Sequence, residues 1–281
     1  MKTIKTRSKH LIITILFIII AQHEVFAGGF PVRPKQWLLS PSISYFFSNS
    51  GWDANRVHSP FELNGQFTSF SYSLYSEYGI SRRFTLVAQL PYVVNNFEQT
   101  GYKSHSEGFT DMEIGLRYYL ANIDYKYYFT LQATGIVPLY SDINLGYKET
   151  GAEIKLAFAG SGHLFGKNSY FNIENGVRQY FGSSGPIQDR YSGTFGLTLD
   201  RKFKHQLSVS VGGFYSSSNF KDFSPIQTNN KDFAFNQASL SYGYTFSKKF
   251  SIFLTAGTFI NGRNTGDGRN VSASFIIKPF R

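Results

Sequence analysis

Apolar and polar side chains alternate over most of the chain, and this period of two constrains the fold more than any other feature. In residues 111–120, Ile114 and Leu116 share one face of an extended strand, whereas Glu113 and Arg117 share the other. The same alternation recurs in about twelve segments, at 37–47, 67–78, 84–93, 111–120, 127–139, 152–164, 170–181, 190–200, 206–216, 237–246, 250–261 and 270–280. The sequence therefore predicts an all-β fold.

The connections between these segments alternate strictly between long and short. The long ones are 48–66, 94–110, 140–151, 182–189, 217–236 and 262–269, and the short ones are 79–83, 121–126, 165–169, 201–205 and 247–249. Outer-membrane barrels have short periplasmic turns and longer external loops. A soluble β-sandwich is the alternative, but it does not require the two connection lengths to alternate. The pattern predicts an antiparallel transmembrane β-barrel of about twelve strands with both termini in the periplasm.

The first residues are typical of an export signal. Four basic residues fall within positions 2–9, an apolar run follows at 11–21, and Ala27 provides a small residue for cleavage. We therefore expect a signal peptide at 1–27, a short periplasmic segment at 28–36 and the barrel at 37–281. The expected location is the outer membrane of a Gram-negative bacterium.

The composition excludes several other classes of protein. The chain has no cysteine, which excludes disulfides, a lipoprotein anchor and thiolate metal sites. Its net charge is +10, but the basic residues are scattered at turns such as Arg82–Arg83 and Lys248–Lys249 and form no continuous stripe. We therefore expect no nucleic-acid partner.

The spacing of histidines and serines gives little support to an enzymatic function. A lipase-type barrel would place a serine two positions after a histidine on one strand face, and His58, His105, His163 and His205 all lack one. Ser161 and His163 share a face in the reverse order, close to a short turn, which is weak support for a nucleophile and its base. No metal-binding motif is present. The sequence predicts no enzymatic activity, no catalytic residues, no cofactor and no metal.

The most informative polar residues are charges on the face opposite the apolar one. They are Glu113, Arg117, Glu153, Lys155, Glu174 and Arg178. A charge facing lipid at mid-strand would cost about 2–4 kcal/mol, so we expect these side chains to line the lumen. Two interpretations stay open, namely structural pairing inside a narrow barrel and a polar constriction that selects solutes.

The later strands carry small residues on the predicted inward face. They are Ser192, Thr194, Gly196, Thr198, Ser208, Ser210, Gly212, Ser239, Ser241 and Gly243. One wall of the lumen should therefore carry bulky charged side chains, and the other should carry small side chains that are rich in hydroxyl groups. This asymmetry predicts room for a small passage.

Aromatic residues stand near many of the predicted strand ends. Tyr78, Tyr118 and Tyr140 are examples. Amphipathic rings favour the headgroup level of a membrane, so we expect such residues to form aromatic girdles on the outside of the barrel.

Several stretches resemble a known group of outer-membrane proteins. These are 77–86 (EYGISRRFTL), 90–93 (LPYV), 108–118 (GFTDMEIGLRY) and 261–269 (NGRNTGDGR). The chain resembles XagA-type proteins, which belong near the barrels of the MetA-pathway phenol-degradation group and their fatty-acid-transporter relatives. The resemblance implies passage of small or hydrophobic compounds, or assistance in surface attachment and matrix export.

Together these features predict a passive outer-membrane channel or transporter for small or hydrophobic solutes. The alternative is an accessory without channel activity in surface attachment or exopolysaccharide export, and an outer-membrane hydrolase has less support. The expected partners are outer-membrane lipid, lipopolysaccharide, the barrel-assembly machinery and a small solute of unknown identity.

Overall fold

The computed structural model describes residues 29–221 and 230–279 of the 281-residue chain. The predicted signal peptide lies outside these ranges, as do Phe280 and Arg281 at the C-terminus. Two short 3-10 turns occupy Glu62–Asn64 and Ile143–Leu145. The strands of the described part are β1 (Trp37–Ser48), β2 (Ser50–Trp52), β3 (His58–Pro60), β4 (Gln66–Gly79), β5 (Phe84–Gln99), β6 (Tyr102–Phe109), β7 (Asp111–Ile123), β8 (Tyr127–Pro138), β9 (Gly151–Leu164), β10 (Lys167–Tyr180), β11 (Ile187–Thr198), β12 (His205–Ser217), β13 (Phe233–Ser247), β14 (Phe250–Arg263), β15 (Thr265–Gly266) and β16 (Arg269–Ile277).

Twelve of these strands close into one antiparallel ring. Its order is β1, β4, β5, β7, β8, β9, β10, β11, β12, β13, β14 and β16, and then β1 again. The closing pair joins the first and last strands, with Tyr45 opposite Val271. Closure leaves the wall without a free edge, so its backbone groups are paired even where lipid surrounds them. The predicted all-β barrel of about twelve strands is confirmed.

The two faces of the wall differ as the alternation predicts. On β9, Ile154 is 62% exposed and Leu156 is 57% exposed, whereas Glu153, which precedes Ile154, is only 2% exposed. Outward aromatic rings pack across strands, for example Tyr45 against Phe70 with ring centroids 4.8 Å apart. The apolar outer face therefore suits the hydrocarbon of a bilayer, and the polar face is turned inwards.

The connections are short at one end of the barrel, which we call the turn end. The β9–β10 turn consists of Phe165 and Gly166, whose φ angles of 51° and 72° fit the type I′ turn that joins twisted strands. At the opposite end, the loop end, the three short strands β2, β3 and β15 form a small separate sheet. No helix in the described ranges is long and apolar enough to span a membrane.

The strand predicted at 84–93 is longer in the structure. Residues 94–110 form the predicted long connection at the loop end, but within it β5 continues to Gln99 and β6 returns beside it as a hairpin. Polar residues such as Asn95, Asn96 and His105 interrupt the apolar alternation there, which is why the sequence pattern ended too early. A bulge at Thr110 then separates β6 from β7, and the Thr110 N–H donates to the carbonyl oxygen of Pro91.

Candidate functional site

The lumen contains a cluster of eight charged side chains, which we call the ion-pair cluster. All six charges singled out in the sequence belong to it, and each is buried or half-buried on the inward face. Two further members, Glu77 on β4 and Arg190 on β11, were missed. In the alternation of their strands, both fall on positions predicted to face inwards, so the sequence contained the information needed to find them. With four carboxylates and four basic groups, the cluster has no net charge.

Arg117 forms one half of the cluster with β4 residues. Its Nη1 lies 2.8 Å from Oε1 of Glu77, and its Nη2 donates to the Tyr75 hydroxyl at 3.0 Å. Its Nε donates to Oε1 of Gln132 at 3.1 Å. Arg117 is 3% exposed and Glu77 is fully buried. Because β5 lies between β4 and β7 in the wall, this ion pair spans an intervening strand on the inner face rather than joining neighbouring strands.

The other half of the cluster is centred on Glu153. Its Oε2 accepts hydrogen bonds from Nε of Arg178 at 2.8 Å and from Nη1 of Arg190 at 2.7 Å. Arg178 also bonds Glu113 on β7, although β8 and β9 separate the two strands in the wall. Neighbouring strands are about 4.8 Å apart, so side chains from β7 and β10 meet only by reaching across the interior.

Lys155 connects the two acidic groups that flank it. Its Nζ lies 3.6 Å from Glu153 and 3.4 Å from Glu174. Glu113 and Arg117 lie four residues apart on β7, as do Glu174 and Arg178 on β10. Neither combination is among the ion pairs of the described residues, because four residues of extended strand span about 13 Å.

The small inward residues of the later strands are buried at the inner wall. Ser208, Ser210 and Ser241 are each 2% exposed, although they face the lumen. The outside of this side of the barrel carries a shallow apolar depression of about 540 Å³, whose lining includes outward residues of six neighbouring strands.

Aromatic residues line the inner wall towards the loop end. The ring centroids of Phe259 and Phe235 are 4.1 Å apart, and those of Phe235 and Phe214 are 5.2 Å apart. Phe46 continues the row beside Phe259, and the guanidinium of Arg190 lies 4.7 Å from the Phe214 ring at its other end. Sequence reasoning missed this arc, because outward and inward phenylalanines are alike in an alternation of apolar residues.

The loop after β8 folds over the charged wall. Tyr140, which was expected in an outer aromatic girdle, is turned inwards instead, and its hydroxyl donates to Asp111 at 2.9 Å. Tyr180 donates to the other carboxylate oxygen at 2.9 Å. Tyr147 packs edge-on against Tyr180 and donates to the carbonyl oxygen of Asn230 at 2.8 Å. These contacts narrow the loop end of the lumen.

Asp232 joins two of the loop-end connections. It accepts a hydrogen bond from Lys221 at 3.0 Å and another from Arg263 at 2.6 Å, and its backbone oxygen accepts one from Asn264. Burial acts to raise the pKa of the Asp232 carboxyl, but the hydrogen bonds from Arg263 and Lys221 outweigh it, so the pKa lies below its usual value.

Residues 29–36, which we call the N-terminal segment, cover part of the turn end. The Lys35 N–H donates to the Gly79 carbonyl oxygen at 2.6 Å, which fixes the segment to β4. Phe30 reaches into the lumen, where its carbonyl oxygen accepts from the Tyr119 hydroxyl at 2.8 Å and its ring contacts Tyr128. The segment thus contacts β4, β7 and β8, and Gly29 at its start lies against Ala159 of β9 and Asn172 of β10.

Among the described residues, no histidine is hydrogen-bonded to a serine hydroxyl. Three of the histidines bond Asp267, Asn96 and Tyr242 rather than a serine hydroxyl. Within residues 29–221 and 230–279, no group of three or more His, Asp or Glu side chains is arranged to hold a metal ion.

Solved structures with this architecture include several outer-membrane proteins. The COG4313 outer membrane channel from Pseudomonas putida F1 superposes with a TM-score of 0.70 at 12% identity, over 91% of this chain and 100% of that one. The fold is that of an outer-membrane β-barrel. The NanC porin matches with a TM-score of 0.52 at 8% identity, over 86% of this chain and 100% of its own. The translocator domain of the autotransporter NalP from Neisseria meningitidis matches with a TM-score of 0.51 at 10% identity, over 89% of this chain and 90% of that domain.

These similarities concern the fold alone, since the identities are low. No protein-family model matches the chain, and no curated protein matches it either. The predicted outer-membrane barrel architecture is confirmed. The narrower resemblance to XagA-type and MetA-pathway proteins stays a prediction.

Proposed function

We propose that this chain is an outer-membrane channel for small solutes, narrowed at mid-height by the ion-pair cluster. The observation that carries the proposal is the chemistry of the lumen at mid-height, where charged side chains and hydroxyl groups rather than apolar side chains fill the interior. Burying eight charges costs desolvation energy, and an apolar filling would give a stable barrel without that cost. A polar filling suits an interior that water and solutes enter.

The proposed orientation of the barrel in the membrane follows from the alternation of long and short connections. The turn end faces the periplasm and the loop end faces outwards, after removal of a signal peptide at 1–27. The partners are outer-membrane lipid and lipopolysaccharide, and the barrel-assembly machinery inserts the chain. No catalytic step is assigned, because no arrangement of described side chains supports one.

Single-channel recording in planar bilayers tests the proposal. We expect small conductance steps from the wild-type protein, because side chains occupy the middle of the lumen. A variant with Glu113→Ala and Arg178→Ala removes an acid and a base together, so it should conduct more without leaving an unpaired charge. The matched control is Leu156→Ala on the outer face, which should conduct as the wild type does.

A flat trace from both the wild type and the double variant would overturn the channel proposal. That result would favour the alternative predicted from the sequence, an accessory in surface attachment or matrix export. The filled lumen is the observation that keeps this alternative open, because a barrel with such a role needs no passage.

A further inference from the structure

A cavity of about 380 Å³ lies at the turn end, between the N-terminal segment and the wall formed by β10 to β16. We call it the turn-end cavity. Inward residues of β10, β11 and β12 line one side of it, including Tyr170, Thr194 and Gln206, and Phe30 of the N-terminal segment lines another. Its volume falls at the lower end of the range for small-molecule sites, about 300–1,000 Å³. It therefore has the size for a small ligand.

The mouth of this cavity is basic. Lys248, Lys249 and Lys278 line it, and an adjoining cavity of about 370 Å³ shares these three lysines and adds Arg33. No acidic side chain lines either cavity. The ion pairs found in the described ranges involve none of these four residues. Several uncompensated positive charges around a concave opening attract anions and raise their local concentration.

The inner part of the cavity combines rings with hydroxyl groups. Gly196 lacks a side chain where the Tyr170 ring lies, since a Cβ there would stand 2.2 Å from the ring carbon that bears the hydroxyl. This brings the Tyr170 hydroxyl towards Ser208, which pairs with Gly196 on the next strand. The Tyr170 hydroxyl is buried and has no hydrogen-bond partner, and Tyr170 lines the cavity. Buried polar atoms usually have partners, so this hydroxyl marks a place where a ligand group would be stabilised.

An apolar ring also borders the cavity. Phe253 is 3% exposed and lies over Gly243, where a Cβ would come within 2.3 Å of the ring. Phe253 and Phe30 both line the cavity. The turn-end cavity thus offers a basic mouth, apolar sides and hydroxyl groups further in.

We propose that the turn-end cavity binds a small organic anion, with its anionic group at Lys248, Lys249 and Lys278 and its apolar body against Phe30 and Phe253. This inference rests on the proposed channel function, since it makes the cavity a solute-binding site at the periplasmic end of the passage. The class of solute is therefore a small carboxylate, or a similar anion, with a compact apolar or aromatic body.

Binding is measured without any need for conduction, by fluorine NMR on protein folded in zwitterionic detergent. The probe is 4-fluorobenzoate, and its neutral counterpart is 4-fluorobenzamide. We expect the benzoate to bind about tenfold more tightly than the benzamide. The double variant Lys248→Gln and Lys278→Gln should lose that preference, whereas Lys126→Gln, a basic residue at another short turn, should keep it.

A second variant tests the inner part of the cavity. Tyr170→Phe keeps the ring but removes the unpartnered hydroxyl, so it should weaken 4-fluorobenzoate binding several-fold while the barrel stays folded. Equal binding of benzoate and benzamide would overturn the proposal, and so would unchanged binding in the lysine double variant. Benzoate binding by a protein that never conducts would refute the channel while the anion site stands. Conduction without benzoate binding would refute only the anion site.

Discussion

Removal of Arg117 gives the sharpest test of the ion-pair cluster. The variant Arg117→Leu keeps an apolar volume at the position but removes the partner of Glu77, which is fully buried. Only the Tyr75 hydroxyl, 2.5 Å from Oε1 of Glu77, then remains close to the carboxylate. The variant therefore leaves a charge in the interior with a single neutral donor.

The magnitude follows from the burial of the remaining charge. Removing one partner of a buried ion pair costs about 3–5 kcal/mol, because the other charge is left in the interior without compensation. We expect Arg117→Leu to lower the free energy of unfolding by about 3–5 kcal/mol.

The measurement is guanidinium unfolding from phospholipid vesicles, followed by the fluorescence of Trp37 and Trp52. Leu116→Arg is the control, because it adds a charge one residue away on the lipid face and should cost about 2–4 kcal/mol. Replacing Glu77 and Arg117 together by leucine should cost little, because no charge is left unpaired. If the double leucine variant is destabilised as much as Arg117→Leu, the pairing argument is refuted. If Leu116→Arg folds as well as the wild type, the assignment of the two faces is wrong.

Three further predictions concern the ends of the barrel. Because the folded-state pKa of Asp232 lies below its unfolded value, its contribution to stability is present above about pH 3.9 and is lost as the pH falls through the folded-state pKa. On acidification, the wild type should therefore lose about 1 kcal/mol of its free energy of unfolding through Asp232. The variant Asp232→Asn should not show this loss, because it already lacks the charged hydrogen bond to Arg263. On intact cells, an impermeant maleimide should label Lys103→Cys at the tip of the β5–β6 hairpin and leave Lys248→Cys unlabelled, and the reverse result would invert the topology. Tyr147→Ala should raise single-channel conductance, and an unchanged conductance would show that the loop after β8 does not narrow the passage.

The alternation and the connection lengths were sufficient to identify the strands, the two faces and the two ends. An alternation such as that of Glu113, Ile114, Gly115 and Leu116 is a local property of an extended chain, so it identifies the outward residues without any knowledge of neighbours. The lengths of the connections are equally local. They distinguished the turn end from the loop end, and the even number of strands followed from them.

Which charges meet across non-neighbouring strands depends on the tertiary structure. Arg117 contacts Glu77 over the intervening strand β5, and Arg178 contacts Glu113 over β8 and β9, so the curvature of the wall sets these distances. The contact of Arg178 with Glu153 follows instead from the register of the β9–β10 hairpin. The tertiary structure also decides the place of Tyr140, whose position near a strand end indicated a girdle, although the loop that carries it folds inwards onto Asp111. A period of two specifies which face a side chain occupies, and it contains no information about how closely the opposite wall approaches that face.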